Sequence, residues 1–538
     1  MMFGRAGTSD LLKAVLLLSV VSWPTGANAG DFERMFEMDR QMRSLEAYLS
    51  DVEDPQITDV HALARDLFDL AGVSGSPQAA VRPPVTDISK VAQNAPDPKA
   101  TGNAGELSLV PIELVLSQFS LQIGSNHHLE LKEAQSHPDK VVLVLRSGKW
   151  SLSDLAQRLA ERDQGELFKR TPNGFRATLP IVVWNDAALH LGRGDNLELA
   201  TETGAFLLNA GEIKVETGSV AGSSGKNSFE DFRPFVLTGL GGRTHLVGGT
   251  FSNLGFGDRP HMRGVSFVSS PFFPRNTQAL LIGNHFDKVQ SIELSDVTGA
   301  RIERNLVTHA TGSGLRIDGS RETDVIQNVF ASSSHHGLTL GARSRNILID
   351  GNLFVGNKRA GVFAGGGVVA STLSGNLLAG NAKSGIFLTA SGCVNLTGNL
   401  LYGNGHWGVV SKRSFKVSFD DNIFVRNIGP GLEIEGGLFP DDHVQVTGND
   451  FIANQAGVTA DGYTSILFTN NDFTAQRPII FAGDLVSRTV DYLSWAELPQ
   501  VDSPETFHAN SLKTRHRPTL GDERLSAFSV AGLADCKI

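Results

Sequence analysis

The chain has 538 residues, enough to bury a large core and to form more than one domain. There are 58 glycines, and 31 phenylalanines against 4 tyrosines, a composition that favours a turn-rich β architecture with stacked aromatic residues over a helical protein. The formal charge of −10 argues against a general polyanion or nucleic-acid binder, so an anionic ligand must meet a local basic surface. The two cysteines, Cys393 and Cys536, lie too far apart in sequence to indicate a disulfide framework.

Residues 1–29 have the pattern of a secretory signal sequence. Arg5 and Lys13 precede the apolar run Ala14–Val21, and Ala27–Ala29 supplies the small residues of a cleavage site before Gly30. The apolar run is too short to span a membrane, and no later segment offers a span. We therefore expect a soluble exported protein, periplasmic if the source is Gram-negative.

The rest of the chain divides by composition. Residues 30–73 carry apolar residues at helical spacing among charges and predict a small helical segment. Residues 74–106 are rich in Pro, Ala and Gly and predict a flexible linker. Short β-type runs bounded by Gly, Asn and Asp extend over residues 107–494, interrupted by one predicted helix at Ser151–Asp163. The polar stretch 495–538 is interpreted as a C-terminal cap or tail.

An explicit repeat runs through the predicted β region. Its first marker is an asparagine that recurs at intervals of 21 to 27 residues, at Asn284, Asn305, Asn328, Asn352, Asn376, Asn399, Asn422, Asn449 and Asn471. A second asparagine comes five residues later at Asn357, Asn381, Asn404, Asn427 and Asn454. A glycine comes nine residues after the first asparagine at Gly314, Gly337, Gly361, Gly385, Gly408 and Gly431. A phenylalanine comes two residues after it at Phe286, Phe330, Phe354, Phe424, Phe451 and Phe473.

This period marks a solenoid whose units hold short strands and no helix-length pattern. Leucine-rich repeats share the period, but their leucine consensus is missing from these units. The predicted fold is therefore all-β, a right-handed parallel β-helix with one coil per repeat. Coils stacked about 4.8 Å apart would align the asparagines into hydrogen-bonded ladders and stack the phenylalanines in the core. We assign these residues a structural role only.

Functional groups on such a fold are expected on one sheet, because alternate strand residues face solvent. Within Gly314–Gly319 the inward residues are Leu315 and Ile317, which leaves Arg316 and Asp318 outside. One coil later, His336 lies on the turn before the next strand, and Arg343 follows that strand. Residues 301–359 contain eight basic and five acidic residues, which fits a local anion site and fits a merely solvated surface equally well.

A uronic-acid polymer suits these groups. Removal of its C-5 proton, which lies α to a carboxylate, needs a general base and a cation that neutralises the carboxylate as charge develops. Return of a proton from the other face gives epimerisation, and cleavage of the C4–O bond gives a lyase. The candidate catalytic residues are Asp318 and His336, and the candidate substrate-binding residues are Arg316, Arg343, Lys358 and Arg359. His309, His335 and His406 are lesser candidates.

Structural interpretations compete with these roles. His336 fits a turn histidine that caps a backbone carbonyl, and Asp318 precedes a glycine as turn-forming aspartates do. Asp318 would also need a pKa well above about 3.9 to serve as an acid. Glycoside hydrolysis of the pectin-hydrolase kind needs clustered aspartates on adjacent coils, and a calcium-dependent lyase needs several acids in one patch. Neither cluster is present in this sequence.

Several stretches of the chain go beyond what any β-helix needs: Leu179–Val183, Gly204–Asn209, Phe232–Phe235 with Gly241 and Gly242, Ser252–Phe256, and His336–Leu338 with Arg343. In these stretches, from about Val141 to Ser494, the chain resembles the periplasmic mannuronan C-5 epimerases of alginate biosynthesis. The resemblance implies a β-helix that converts mannuronate to guluronate within the polymer, without a cofactor, beside other periplasmic export proteins.

The chain departs from that family at the site. The family's Asp-Pro-His-Asp signature falls on Arg316–Gly319, so Asp318 stands at the catalytic histidine position and both flanking aspartates are missing. A tyrosine-bearing stretch one coil earlier is replaced by Ser291–Ser295. His336 matches the family's His-Gly pair. Arg343 matches the family's carboxylate-neutralising arginine only if one residue is inserted after Gly337.

Three interpretations remain open from the sequence. The first is an epimerase-like or lyase-like enzyme with altered machinery, acting on an anionic polysaccharide without a cofactor or metal ion. The second is a non-catalytic protein that binds and guides or protects an acidic exopolysaccharide in the periplasm. The third is a structural or protein-docking solenoid, which needs no anion site.

Overall fold

The computed structural model describes residues 29–52, 55–72, 105–123, 127–270, 276–436, 443–463, 465–476, 478–496 and 505–508. The predicted signal sequence lies outside these ranges except for Ala29, and so do most of the predicted linker and most of the C-terminal tail. The described helices are α1 (Ala29–Asp51), α2 (Ile57–Ala71), α3 (Ile112–Ile123), α4 (His127–Glu133), α5 (Leu152–Ala160) and α6 (Thr489–Ala496). None of them is long and apolar enough to cross a membrane.

The strands stack into a right-handed parallel β-helix, as predicted. Three strands lead into it: β1 (Glu106–Pro111), β2 (Val141–Ser151) and β5 (Ile181–Leu191). Strand β1 is antiparallel to β2, and β2 pairs in parallel with β5. Strand β5 continues into two sheet faces, because its first half pairs with one strand of the next coil and its second half with another.

Face 1 carries the predicted site. Its strands are β7 (Leu207–Asn209), β10 (Val236–Thr238), β13 (Gly264–Val268), β16 (Ser291–Ser295), β19 (Leu315–Asp318), β22 (Leu338–Leu340), β25 (Val362–Gly365), β28 (Ile386–Thr389), β31 (Val409–Lys412), β34 (Leu432–Glu435), β37 (Ala456–Asp461) and β39 (Ile479–Gly483). Each pairs in parallel with the equivalent strand one coil on, as Leu315 pairs with Leu338 and Leu338 with Val362.

Face 2 follows face 1 in each coil. Its strands are β8 (Glu212–Glu216), β11 (Arg243–Val247), β14 (Gln278–Ile282), β17 (Arg301–Glu303), β20 (Arg321–Ile326), β23 (Arg345–Asp350), β26 (Val369–Ser374), β29 (Gly392–Thr397), β32 (Phe415–Asp420), β35 (Val444–Thr447) and β38 (Ser465–Thr469). Strand β40 (Glu505–His508) adds to β38 in the antiparallel sense.

Face 3 is a separate sheet, which begins with an antiparallel pair of strands. Its strands are β3 (Phe168–Thr171), β4 (Gly174–Ala177), β6 (Asn196–Leu199), β9 (Ser219–Gly222), β12 (Thr250–Ser252), β15 (His285–Asp287), β18 (Leu306–Thr308), β21 (Val329–Ala331), β24 (Leu353–Val355), β27 (Leu377–Ala379), β30 (Leu400–Tyr402), β33 (Ile423–Val425) and β36 (Asp450–Ile452).

The predicted asparagine ladders are confirmed. From Asn284 to Asn471, each side-chain amide donates to the amide oxygen of the next asparagine at 2.8–3.1 Å. That oxygen also accepts the previous asparagine's backbone N–H, as Asn376 does from Asn352 at 2.9 Å. A second ladder from Asn357 continues through Asn454 to Gln476. The ladders satisfy polar groups that would otherwise be buried without partners at every coil.

The predicted aromatic stacks are also present in the core. Phe330 lies 5.2 Å from Phe354 between ring centroids, and Phe424, Phe451 and Phe473 stack at 4.7 and 4.6 Å. Near the C-terminal end, Tyr492 of α6 packs edge-on against Phe473 at 5.7 Å. Cys393 is buried and disulfide-bonded. The only other cysteine in the sequence, Cys536, lies outside the described residues.

The predicted helix over Ser151–Asp163 is present as α5. It begins at a capping box, in which the Ser151 hydroxyl accepts the Asp154 N–H and the Asp154 carboxylate accepts the Ser151 N–H. Its buried leucines join the core of the first coils. Helices α3 and α4 stand where the sequence predicted only β-type runs, and that prediction was wrong. Ile112, Val115 and Phe119 form an apolar side on α3, and this side packs on the outward side of face 1.

Helices α1 and α2 form an antiparallel-packed pair on the outward side of face 3, here called the helical hairpin (residues 29–52 and 55–72). Its Met42, Leu45 and Leu67 are buried against strand residues of seven coils, from β18 to β36. The His61 ring Nε2 donates to the Gln327 carbonyl at 2.8 Å, and Asp39 accepts from Tyr402 and pairs with Arg426. The N-terminal hairpin therefore covers coils that come more than 200 residues later in the sequence.

Candidate functional site

The outward side of face 1 is covered over its first coils. Outward residues Val182, Leu208 and Leu237 are buried against α3 and α4 and against aromatic residues of the segment 229–262. At the next coil, Ser266 is still fully buried. Face 1 becomes accessible only at Arg316, which is the first outward residue of this column whose side chain reaches solvent. The open section of face 1 therefore begins at the predicted site.

Glu293 forms the upstream wall of the open section. It lies one coil before Arg316 in register and is only 1% exposed. Its carboxylate accepts from the Arg263 guanidinium at 3.0 Å and from the His261 backbone N–H at 2.9 Å. Burial raises the pKa of Glu293, but the hydrogen bonds and charges of His261 and Arg263 outweigh it and leave the pKa lowered. An ionised, fully paired Glu293 holds the covering segment in place, and sequence reasoning missed it.

Arg316 and Asp318 are brought together by their strand. They occupy alternate outward positions of β19, and Arg316 Nε donates to Asp318 Oδ2 at 2.5 Å. The other carboxylate oxygen lies over Gly341 of the next coil, where an added Cβ would sit 1.5 Å from it. Gly341 therefore makes the room that Asp318 needs. The pair is partly exposed, with 37% and 30% of the two side chains accessible.

Arg343 reaches back toward the same group. It follows β22 with a positive φ of 66°, and its guanidinium comes within 3.5 Å of the Asp296 carboxylate two coils earlier. The two side chains pass beside Gly319, the residue after Asp318. Because 68% of the Arg343 side chain is exposed, this ion pair is weak, and the guanidinium is available to an anion. Arg316, Asp318 and Arg343 thus form one cluster.

His336 belongs to a different part of face 1. Its Nδ1 accepts the Ala360 N–H at 3.2 Å, and its ring lies 5.0 Å from the Phe363 ring. Burial, with the positive charges of Arg359 and His335, lowers the pKa of His336 to about 4. The ring is therefore neutral at pH 7, and because Nδ1 accepts a hydrogen bond, the proton sits on Nε2. In this state the exposed edge donates a hydrogen bond and has no lone pair with which to remove a proton.

The register separates the two predicted catalytic residues along the strand. Leu315 pairs with Leu338, which places His336 level with Ser313, and Asp318 comes five residues further on. Five extended residues span up to about 16 Å. A base and an acid must each come within hydrogen-bond reach of the same sugar carbon or its substituents. This spacing argues against Asp318 and His336 acting together on one sugar ring.

The other predicted cations lie beside His336. Lys358 and Arg359 are exposed on the turn that precedes β25. Arg359 is one step of a ladder in which successive backbone N–H groups donate to the preceding carbonyl, from His335 to Arg359 to Lys383 to His406. We call these four residues the basic ladder. Among the described residues no acidic side chain forms an ion pair with Lys358, Arg359 or Lys383.

The remaining histidine candidate lies elsewhere. His309 follows β18 of face 3, where its Nδ1 pairs with Asp287 at 2.9 Å. It lies at the end of face 3, six residues before β19, and outside the basic ladder. His335 and His406, by contrast, lie at the two ends of the basic ladder.

Two phenylalanines on the outward side of face 1 were also missed. Phe363 and Phe387 are in register on adjacent strands and stack at 5.7 Å between ring centroids, with 22° between their planes. We call this pair the aromatic column. Thr339 precedes it in register and Val410 follows it. The column is partly buried. The basic ladder runs parallel to it, on the turns that lead into the same strands.

The sequence contained signals for both features. Phe363 and Phe387 each stand two residues after the repeat glycine of their coil. Arg316 and Thr339 hold the same position in the two coils before Phe363. This position faces outward, so two large apolar residues there were exceptional. The basic ladder stands two residues before the same glycine. Reading the repeat column by column, rather than around the catalytic motif, would have found both.

Fold and site together define a right-handed parallel β-helix protein whose accessible sheet face carries cations beside aromatic residues. Residues 313–473 match the family model described as the right-handed β-helix region. The predicted resemblance to the mannuronan C-5 epimerases is confirmed by sequence similarity over part of the chain. It is 30% identical over 141 residues to the mannuronan C5-epimerase of Pseudomonas aeruginosa and 28% identical over 142 residues to that of Pseudomonas fluorescens.

These sequence matches are partial. They cover 25% of this chain and 25% and 26% of the two relatives, so the chain spans about a quarter of the length of the curated relatives it matches. In three dimensions the chain is similar to the crystal structure of the periplasmic alginate epimerase AlgG, with a TM-score of 0.62 and 17% identity. That match covers 75% of this chain and 99% of the other. At this identity the similarity establishes the shared fold.

Proposed function

We propose that this protein binds a polyuronate of the alginate type along the open section of face 1, in an epimerase-like role in the periplasm. The proposal is carried by one observation. Lys358, Arg359 and Lys383 project from adjacent coils beside an accessible sheet face, and none has an ion-pair partner among the described residues. A line of unpaired cations on a chain of net charge −10 is a local attraction for a linear polyanion.

The geometry suits an extended polymer rather than a small anion. Adjacent coils place successive cations about 4.8 Å apart along the rod, so the positive charge forms a line and not a pocket. The matches to enzymes named mannuronan C5-epimerase support a carboxylated sugar chain as the polymer.

Epimerisation at C-5 is the second candidate function, favoured by the clustering of Arg316, Asp318 and Arg343 within this epimerase relative. In that reaction Arg343 would neutralise the substrate carboxylate as charge develops on it. Asp318 would accept the C-5 proton, and the replacement proton would come from another donor on the opposite side of the sugar. His336 contributes at most a hydrogen bond from Nε2 to a neighbouring sugar, because of its tautomer and its distance along the strand.

Binding is tested by titrating polymannuronate into the mature protein by calorimetry at low and at high salt. We expect saturable binding that weakens as salt rises, since exposed charges are screened. The double variant Arg359→Gln, Lys383→Gln should bind roughly tenfold more weakly at low salt. The matched control is Arg321→Gln, Arg345→Gln, because these exposed arginines also pair on adjacent coils but lie on face 2. Equal loss in both variants, or no saturable binding by the wild type, would overturn the binding proposal.

Catalysis is tested separately by incubating the protein with polymannuronate in D2O and following the polymer by NMR. Deuterium at C-5 together with guluronate would establish epimerisation, and its loss in Asp318→Asn would place that residue in the reaction. A polymer that binds but acquires no deuterium, no guluronate and no unsaturated ends would exclude C-5 chemistry on this substrate and leave the binding proposal intact.

A further inference from the structure

We propose that the aromatic column and the basic ladder form a two-sided track that takes a sugar polymer with its apolar C–H side on Phe363 and Phe387 and its carboxylates on Arg359 and Lys383. This inference rests on the proposed function and names the subsite that distinguishes a polyuronate from other polyanions. It places recognition two to three coils downstream of Arg316 and Asp318.

The apolar side of the track is built by register. Phe363 and Phe387 lie at the same outward position of adjacent strands, and their rings stack at 5.7 Å. Gly365, two residues after Phe363, has no side chain, and an added Cβ there would meet the Phe363 ring at 2.7 Å. Because Gly365 has no side chain, the Phe363 ring can lie over it on the surface. Because the rings stack along the rod, their faces cover one another and their edges point outward, so the column offers a strip of apolar contact area rather than a free ring face.

His336 packs on one end of the column, and Trp407 holds the equivalent turn position one coil beyond its other end. Both stand immediately before a repeat glycine, three coils apart. The His336 ring packs on Phe363 at 5.0 Å, and Trp407 donates a hydrogen bond to Glu433 one coil beyond Val410. The column with its two ends is therefore about three coil steps long, roughly 14 Å. The hydrogen bond from the Ala360 N–H to His336 Nδ1 holds the ring in this packed position.

The charged side runs parallel to the column. Arg359 precedes Phe363 by four residues, and Lys383 precedes Phe387 by four residues, so each coil presents one cation and one ring in the same order. The charge of Arg359 is close enough to the His336 ring to lower its pKa. A polymer lying on the track meets cations on one side and apolar edges on the other. A linear phosphate polymer offers only the charge, whereas a uronate chain offers both charge and C–H surface.

The test compares two probes, oligomannuronate and inorganic polyphosphate of matched charge, on the full-length mature protein. The wild type should bind oligomannuronate more tightly than polyphosphate. Phe363→Ala, Phe387→Ala should lose about tenfold in affinity for oligomannuronate and keep its affinity for polyphosphate. The matched control is Phe36→Ala, which truncates a phenylalanine that is 66% exposed on α1, near face 3.

The outcomes separate this inference from the proposed function. If the wild type binds oligomannuronate but the double variant binds both probes as the wild type does, the aromatic column takes no part and the track is refuted, while the binding proposal stands. Equal losses for both probes would mean that the substitutions disturb the basic ladder, which also refutes the track. Failure of the wild type to bind oligomannuronate would refute both proposals. Phe363→Leu, Phe387→Leu, which keeps apolar area, should retain most of the selectivity if the track is correct.

Discussion

At the scale of single residues, His336 shows how local contacts decide what a conspicuous side chain can do. A histidine before a glycine in a basic surrounding suggests proton transfer. Its Nδ1, however, accepts the Ala360 N–H, and its ring packs on Phe363. The backbone donor and the low pKa of about 4 both favour the neutral ring, with the proton on Nε2. Its chemistry is thereby reduced to that of a hydrogen-bond donor.

The titration of His336 gives a direct prediction. NMR of the ring should show a midpoint near 4 in the folded protein. Arg359→Gln should move the midpoint upward, because Arg359 is one of the positive charges that lower this pKa. Lys383→Gln is the matched control and should leave the midpoint nearly unchanged. A wild-type midpoint near the ordinary value of about 6.5 would contradict the buried, hydrogen-bonded ring described here.

The same shift has a consequence for stability, with a definite sign. The unfolded chain takes up a proton at His336 near pH 6.5, whereas the folded protein does so only near 4. Between these values the unfolded state binds more protons, so this residue's contribution to the free energy of unfolding falls as the pH falls. His245, whose pKa burial also lowers to about 4, acts in the same direction.

At the scale of elements, the asparagine ladders couple each coil to the next. Asn376→Ala would remove the acceptor of the Asn352 N–H and the donor to the Ile349 carbonyl, both buried. Each unsatisfied group costs about 1–3 kcal/mol, so we expect a loss of about 3 kcal/mol in the free energy of unfolding. Urea denaturation measures it as a lower midpoint with an unchanged slope.

The matched control for the ladder is Asn395→Ala. This asparagine lies on the outward side of β29, where its side-chain oxygen accepts a hydrogen bond from the Ser418 hydroxyl at 3.0 Å. It should cost less than about 1 kcal/mol, as a partly exposed hydrogen bond does. Equal losses in the two variants would show that the ladder contributes no more than a surface contact.

The coils themselves were predictable because their signal is periodic. Spacing fixed the ladders, the core phenylalanines and the outward position of Arg316 and Asp318, since a repeat in register leaves little freedom to each residue. Helices α3 and α4 were missed because a short apolar stretch such as Ile112–Leu116 fits a strand as well as a helix. The split between Asp318 and His336 could have been found from the sequence, because aligning the repeat glycines Gly314 and Gly337 already puts His336 level with Ser313, five residues before Asp318.

The covering of face 3 is a case where the sequence held more information than periodicity alone revealed. In Leu353–Val355 the middle residue, Phe354, points into the core, yet both of its neighbours are apolar and buried too. Leu377–Ala379 and Leu400–Tyr402 follow the same pattern, with a leucine in the middle. A strand that is apolar on both sides must be buried on both sides. This pattern predicts that some element covers face 3, and the helical hairpin is that element. Which helices would cover it could not be derived, because an amphipathic helix shows that it has a partner but not which one.

At the scale of the whole molecule, the three faces have different tasks. From β18 onward face 3 is covered by the helical hairpin, the first coils of face 1 are covered by α3, α4 and the segment 229–262, and no element among the described residues covers the middle of face 1. The cations and aromatic residues of the proposed track lie within that open section. The division implies that disturbing the hairpin should alter stability without altering the polymer-binding face.

Leu67→Asp tests this division. Leu67 is fully buried between α2 and face 3, and burying an unpaired carboxylate there costs several kcal/mol. We expect the hairpin to detach, which would expose the apolar outward side of face 3, raise the binding of a hydrophobic dye and speed hydrogen exchange in residues 29–72. Hydrogen exchange in strands β25 and β28 of face 1 should remain close to that of the wild type, and so should the affinity for polymannuronate. Phe36→Asp, a matched change at an exposed site of the same hairpin, should have none of these effects. Loss of polymer binding together with hairpin detachment would contradict the separation of tasks, because it would show that the hairpin holds face 1 in its binding form through the body of the rod.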